Sequence, residues 1–491
     1  MNRLSQAQIA SLPDDVALPK YDRRQLKAGI VHLGIGAFHR AHQAFYTEAV
    51  LNQYGGDWGI IGCSLRSASV RDQLAPQDGL YTLVERSGDS EKLQLIGAVL
   101  QNLVGPENPA ALVSTMAAAN IKIVSLTVTE KGYCHDPATG NLNLAHPDIQ
   151  HDLKNIAAPK SAIGFLVAAL QARVNAGLKS FTVLSCDNLP NNGEVLAKVV
   201  VQFAEQLSPA LADWIRANTC FPSTMIDRIV PATTDEDRRD IEQRLGMRDE
   251  GAVIAEPFSQ WVIEDTFSDG RPAWEKVGAL LVKDVHVFEK IKLRLLNGAH
   301  STMAYTGYLS GFNYISEVME EPAFVNMIKL YMAREAGETL SVPAGFDVEA
   351  YKQQLCERFS NRALKHRTWQ IAMDGSQKLP QRLLESAREQ LAGNGHIDLL
   401  CLGVAAWIRY VSGVDEQGQA IDVSDPLAVE LRALCDVHAG QPAAMVRAIL
   451  GMPKIFGDDL AQDERFVATV IGWLEQFYAR GVLATLRAHF S

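Results

Sequence analysis

The sequence predicts an α/β protein: a parallel sheet with extra strands in front and a mainly α-helical region behind. Three observations predict it. Up to about residue 285, short β-branched runs alternate with helical stretches, the pattern of a parallel sheet covered on both faces. After about residue 286, strand signals fade and helical periodicity runs to Ser491. The chain's 491 residues exceed what one core usually serves, so domains of a couple of hundred residues are expected. Residues 1–285 are therefore assigned to a sheet domain and residues 286–491 to a helical one.

Taken in order, GIVHLG (29–34), WGIIGCSL (58–65), IKIVSLTVT (121–129) and SFTVLSC (180–186) read as buried strands. Residues 37–53 and 162–176 read as helices between them, and LYTLVER (80–86) with LQLIGAV (93–99) reads as a hairpin added to the sheet. No repeat, low-complexity tract or flexible linker interrupts the pattern. A net charge of −11 argues against nucleic acid and anionic membrane as partners. The first residues lack the apolar stretch of a signal peptide, and no run of about 18 apolar residues is present. Seven scattered cysteines without C-x-x-C fit reduced thiols, so a soluble cytoplasmic protein is expected.

The first strand ends in IVHLGIGAFHRAH. Glycines at such a turn let the backbone approach a pyrophosphate, which makes Val31, Gly34, Ile35, Gly36, Ala37 and Phe38 the candidate cofactor cradle of a Rossmann-type domain. The third glycine of the full pattern is replaced by His39, and a plain strand–helix turn is the alternative. After the second strand, the acidic residue that clasps an adenine ribose is replaced by Arg66. An arginine there suits a 2′-phosphate, so both NAD and NADP stay open.

KIKLRLLNGAH (290–300) carries the chemistry. On a wheel of roughly 100° per residue, Lys292 sits at the centre of an apolar arc, with Glu289 near 60° and His300 near 80°. Lys290 and Arg294 fall on the opposite, solvent-like face. Burial lowers a lysine's proton affinity and brings it towards the range of a general base. Glu289 is placed to relay the proton, and Asn297 with His300 to hold a hydroxyl and an alkoxide. The alternative is a snorkelling lysine paired with Glu289. Other chemistries lack their residues. No tyrosine has a lysine four positions on, and no G-x-S-x-G is present. His135, His146 and His151 lie in a Pro/Gly/Asn-rich stretch read as an exposed loop, so no metal is expected.

Lys292-x4-Asn297-x2-His300 resembles the signature of the mannitol dehydrogenase family, the polyol-specific long-chain dehydrogenases. GIGAFHRAHQAFY (34–46), SLTVTEKGYC (125–134), SCDNLPNNG (185–193), FPSTMIDRIVP (221–231) and EPFSQWVIED followed by GRPAWEKVG (256–278) match its landmarks in order. The resemblance runs essentially end to end. It implies a Rossmann-type domain, a helical domain, a site between them and no metal. It further implies Lys292 as general acid/base, Asn188 and Asn297 as oxyanion donors, and Glu289 as the proton gate. His300 and Asp227 would bind substrate hydroxyls, and Glu130 would join the cofactor side. The family's habits favour NAD.

Within the family, RFSNRALKHRTWQIAMDGSQKLPQR (358–382) resembles the sugar-acid branch typified by fructuronate reductase. Where mannitol 2-dehydrogenases carry an arginine, this chain has Gln370, among His366, Arg367, Lys378 and Arg382. Arginine and lysine recognise a carboxylate, so Arg367 and Lys378 are the candidate substrate-binding cations. Salt-bridge roles are the alternative. The IIGCSLRS segment points the other way, towards the mannitol branch. The expected reaction is D-mannonate + NAD = D-fructuronate + NADH, on a small-molecule substrate, by a monomer or weak homo-oligomer. Mannitol 2-dehydrogenase or other polyol chemistry (mannitol, arabinitol) is the alternative, and a non-catalytic nucleotide binder a more distant one.

Overall fold

The computed structural model describes residues 2–88, 90–136, 139–343 and 345–491. The chain forms two compact units, Met1–His286 and Val287–Ser491.

In the first unit, twelve strands build three sheets. The central one is parallel, in the order β6 (Val99–Val104), β3 (Gly59–Ser64), β2 (Ala28–Leu33), β7 (Ile123–Leu126), β8 (Thr182–Ser185). Val31 pairs with Ile61 on one side and Val124 on the other. Successive side chains face opposite ways. Val31, Leu33, Val124 and Leu126 therefore enter one core and Ile30, Ile60 and Ile123 the other. Helices such as Ala162–Asn175 and Asn192–Leu207 cover the first face. Burying each such side chain is worth about 1.5–3 kcal/mol, which is why these strands read as unbroken apolar runs.

The other strands depart from the sequence reading. The hairpin β4 (Tyr81–Ser87) and β5 (Ser90–Ile96) does not extend the parallel sheet. It belongs to a separate four-stranded sheet with β1 (Val16–Ala17) and β10 (Val253–Ala255), over its own core of Leu80, Val84, Leu93 and Leu95. The parallel sheet gains β6 instead, a strand the reading did not assign beyond Val99. A third sheet joins β9 (Thr224–Asp227), β11 (Gln260–Glu264) and β12 (Leu280–Val282).

Among its described residues, the named elements of the second unit are all helices. Asp398–Val411 is its central helix, buried from Leu399 to Val411 and packed on Gly298–Leu309 and Glu464–Arg480. Gly403 allows the first of these approaches, since a Cβ there would meet Thr302 Oγ1 at 2.8 Å. The buried carboxylate of Glu335 caps the central helix, accepting from the Leu399 and Leu400 amides at 2.8 Å each. Three helical segments here have the wider π turn: Lys292–Asn297, Tyr331–Glu335 and Pro380–Leu384. They converge on Gly298, where a Cβ would lie 2.0 Å from Tyr331 Oη and 2.9 Å from the Arg382 carbonyl. Tyr331 Oη in turn donates to the Arg294 carbonyl at 2.9 Å. Among the described residues no helix is long and apolar enough to cross a membrane.

Candidate active site

The order of the central sheet reverses at β2, whose neighbours β3 and β7 connect in opposite directions. A crevice at the carboxyl ends of such strands is where doubly wound folds take a dinucleotide. Gly34 sits there at φ 95°, and a Cβ on it would lie 2.0 Å from the Thr127 carbonyl, so only glycine fits. Thr127 Oγ1 braces the turn by donating to the Gly34 carbonyl at 2.7 Å. Gly36 is exposed, with nothing closer than 3.9 Å to a Cβ position. This open, glycine-braced turn fits a diphosphate. Ile35, Ala37 and Phe38 continue it, and exposed Arg66 follows β3. Val31 lies deeper, in the core beneath the sheet.

His39 replaces the usual third glycine by stacking on His32 of β2, with ring centroids 3.5 Å apart. His32 is itself held by Ser125 Oγ and Thr127 Oγ1, each at 2.8 Å. Burial pushes the His32 imidazole down to about 3 and that of His39 well below its usual range, so both are neutral. A polar residue inside an otherwise apolar strand was the signal available for His32.

At the ends of β7 and β8 lies a carboxylate the sequence reading passed over. Asp187 is buried and accepts from Val128 N at 3.0 Å and Thr129 N at 2.8 Å, while Tyr133 Oη donates to it at 2.9 Å. Thr129 has φ 64°, a conformation that costs a β-branched residue about 1–3 kcal/mol. Glu130, exposed, follows it, and the exposed Asn188 follows Asp187. Asp227, buried, closes β9.

In the helical unit, the chain from His286 to Leu309 is one continuous helix with the π turn Lys292–Asn297 at its middle. A π turn holds one more residue than an α turn and recurs at functional sites. Lys292, Glu289, Asn297 and His300 are all buried, each less than 9% exposed. The face opposite Lys292 is covered as well. Arg294, expected to face solvent, is 1% exposed and grips Glu389 with two bonds of 2.6 Å and the Thr339 carbonyl at 2.9 Å. Lys290 pairs with the same Glu389, so both cations keep the side the wheel gives them, and what the wheel does not show is the helix Glu385–Ala392 that covers it.

Asn297 Nδ2 and His300 Nε2 are buried without a hydrogen-bond partner among the described residues. Such atoms cost about 1–3 kcal/mol each when left unmet, a cost that a polyhydroxy ligand would remove. Around His300 stand Phe359 at 4.5 Å and His366 at 5.1 Å between ring centroids. Burial, with the charges of His366, Arg358 and Arg382 added, holds His300 well below its usual range. Arg382 donates to Ser301 Oγ at 3.0 Å, and both arginines are buried. Lys378 is half-buried and donates to the Ile371 and Met373 carbonyls. Arg367 is exposed. The structure thus groups Arg358 and Arg382 with His300, and Arg358 was not singled out from sequence.

The three histidines of the supposed exposed loop have local roles instead. His146 caps the helix Pro147–Lys154 by accepting from Asp148 N at 3.2 Å, and His151 lies in that helix, 2.9 Å from Asp152. His135 bridges to Leu142. Among the described residues no cluster of three or more His, Cys, Asp or Glu could hold a metal.

A glycine turn at a sheet's switch point in one unit, and a buried lysine, asparagine and histidine on a helix of the other, are what an NAD-type dehydrogenase requires. The chain belongs to the mannitol dehydrogenase family. Residues 28–276 match the mannitol dehydrogenase Rossmann domain and residues 284–478 the mannitol dehydrogenase C-terminal domain. It is 50% identical over 471 residues to D-mannonate oxidoreductase of Escherichia coli (strain K12), covering 95% of this chain and 96% of that one. An uncharacterized oxidoreductase of the same organism, YeiQ, is 50% identical over 462 residues, 94% of each chain. Mannitol 2-dehydrogenase of Pseudomonas fluorescens, solved as a ternary complex with NAD and D-mannitol, superposes with a TM-score of 0.91 at 39% identity and 99% coverage of both chains.

Proposed function

We propose that this protein is a sugar-acid oxidoreductase interconverting D-mannonate and D-fructuronate with NAD, acting as a monomer or weak homo-oligomer in the cytoplasm. The observation that carries the choice of a sugar acid is the group of Arg358, Arg382 and neutral His366 around His300, on the unit that bears Lys292. Guanidinium groups are suited to a carboxylate, which a neutral polyol lacks. The 50% identity to a D-mannonate oxidoreductase supports the same reading.

NAD, when bound, exchanges a hydride with the carbinol carbon of the substrate. Gly34, Ile35, Gly36, Ala37 and Phe38 would hold it, with Arg66 and Glu130 at its edges and Val31 beneath. Lys292 takes the hydroxyl proton during oxidation and returns it during reduction, and Glu289, one turn earlier, passes it on. Asn297 and Asn188 are assigned as preorganised donors to the alkoxide-like oxygen. His300 Nε2 and Asp227 are assigned to neighbouring hydroxyls, and Lys378 and Arg367 to the acid end alongside the buried arginines.

A polyol reading has its own support in the superposition on a mannitol 2-dehydrogenase. A panel of mannonate, altronate, mannitol and arabinitol, each with NAD and with NADP, separates the two. The expected outcome is efficient turnover of mannonate with NAD; turnover of mannitol without any aldonate would overturn the sugar-acid assignment.

A further inference from the structure

Asp187 sits where two motifs meet. Its side chain takes the amides of Val128 and Thr129, immediately before Glu130, and the Tyr133 hydroxyl. Its own carbonyl accepts from Asn192 Nδ2 at 2.9 Å. The same Asn192 amide clasps Thr224 at the start of β9, donating to its carbonyl at 2.8 Å and accepting from its N–H at 2.9 Å. Thr224 Oγ1 closes the ring by donating to the Ser185 carbonyl at 2.6 Å. Asp187 and Asn192 together therefore tie the ends of β7 and β8 to the beginning of β9. They do so at the switch-point side of the sheet, where a dinucleotide's reactive end belongs.

We infer that Asp187 is a positioning residue for hydride transfer: it holds Thr129 and Glu130 in their strained turn and fixes the backbone from which Asn188 projects. Two oxygens are needed because two successive amides point at one spot, and only an ionised carboxylate offers both as acceptors. This rests on the assignment of Asn188 as an oxyanion donor. A donor aimed at developing charge acts through its placement, so loosening its anchor lowers the rate of the chemical step more than it weakens binding.

Burial pushes the Asp187 carboxyl up to about 6, against the amides of Val128 and Thr129 and the Tyr133 hydroxyl, which favour its ionised form, while Glu130 nearby raises it further. The buried Cys186 thiol beside it is held well above its usual range and stays neutral. Below about pH 6 one carboxyl oxygen becomes a donor, and one of the two amides loses its acceptor.

The experiment compares the full-length enzyme with Asp187→Asn and Tyr133→Phe, on whichever sugar acid or polyol the parent turns over best. Asp187→Asn is expected to lower kcat at least tenfold with KM changed less than threefold, to enlarge the isotope effect with deuterated NADH, and to remove the acid limb near pH 6. Tyr133→Phe, which keeps both amide contacts but loses the hydroxyl, should move that limb to higher pH. Hydrogen exchange of residues 125–134, which needs no substrate, should quicken in Asp187→Asn while the rest of the chain keeps its protection. An Asp187→Asn enzyme with kcat within twofold of the parent would overturn the assignment. So would a limb unmoved by Tyr133→Phe, unchanged exchange at 125–134, or a loss of activity that only tracks loss of folded protein. A parent active on neutral polyols alone would defeat the sugar-acid reading and leave this comparison intact.

Discussion

Lys292 was legible from its neighbours alone, because a charge at the centre of an apolar arc is anomalous on any regular helix. Its replacement by alanine is expected to lower kcat by about 10²–10⁴, while NADH binding measured by fluorescence stays near the parent's; a near-normal rate would defeat the mechanism. The cations proposed for a substrate carboxylate were less legible. Sequence pointed to Arg367 and Lys378, whereas the buried cations beside His300 are Arg358 and Arg382. Burial is a property of the three-dimensional neighbourhood, and the seven basic or imidazole residues from 358 to 382 look alike in a linear reading. Losing a charged hydrogen bond costs about 1.5–3 kcal/mol. Arg382→Gln should therefore raise KM for the acid tenfold or more relative to a neutral polyol, and Arg367→Ala should do so far less. Equal effects of Arg382→Gln on both substrates would count against the carboxylate contact.

At the scale of elements, β2, β3, β7 and β8 were readable because both faces are buried, which removes the polar alternation and leaves plain apolar runs, whereas β6, at the edge of the sheet and partly exposed, has no such run. The hairpin's partner was not readable. Its alternating pattern specifies which face is buried, and any sheet with a free edge satisfies it. The π turn was invisible for a different reason. A wheel assumes constant phase, and the side chains at the start of the turn still fall where that phase puts them, with Lys290 and Arg294 sharing Glu389. Gly298 marks where that turn meets the other two, and Gly298→Ala would force its methyl against Tyr331 Oη and the Arg382 backbone. Overpacking of this kind costs about 1–3 kcal/mol, so a lowered Tm is expected. Adding Tyr331→Phe removes the nearest atom and should restore part of the loss; a double variant as unstable as the single one, or less stable still, would show that the hydroxyl is not the obstacle.

For the whole molecule, the buried histidines set a pH dependence of stability. Folding lowers the proton affinity of His366 from 6.5 to about 4, through burial first and the nearby Lys378 second. Its contribution is fully present above the unfolded value, and falls as pH drops from about 6.5 towards 4, because the unfolded chain then takes a proton that the fold refuses. Glu48 and Glu335, raised to about 7 by burial, act in the opposite sense over the upper part of that range. The histidine share is isolated by His366→Gln, which should narrow the gap in Tm between pH 7 and pH 5; an unchanged gap would remove His366 from the account. The π turns also bear on how such a chain can change over generations. A helix normally tolerates substitution while keeping its hydrogen-bond register. Here, dropping a single codon anywhere within 292–297 would let the segment relax to an ordinary α turn. Because the wide turn has already absorbed one extra residue, Lys292 and His300 would keep nearly the same relative direction, and the residues inside the turn would lose their places. The direction from lysine to histidine is thus set by the hydrogen bonding of the turn and not by residue count alone, and a deletion in the exposed turn at residues 417–419 should pass unnoticed by the enzyme's chemistry.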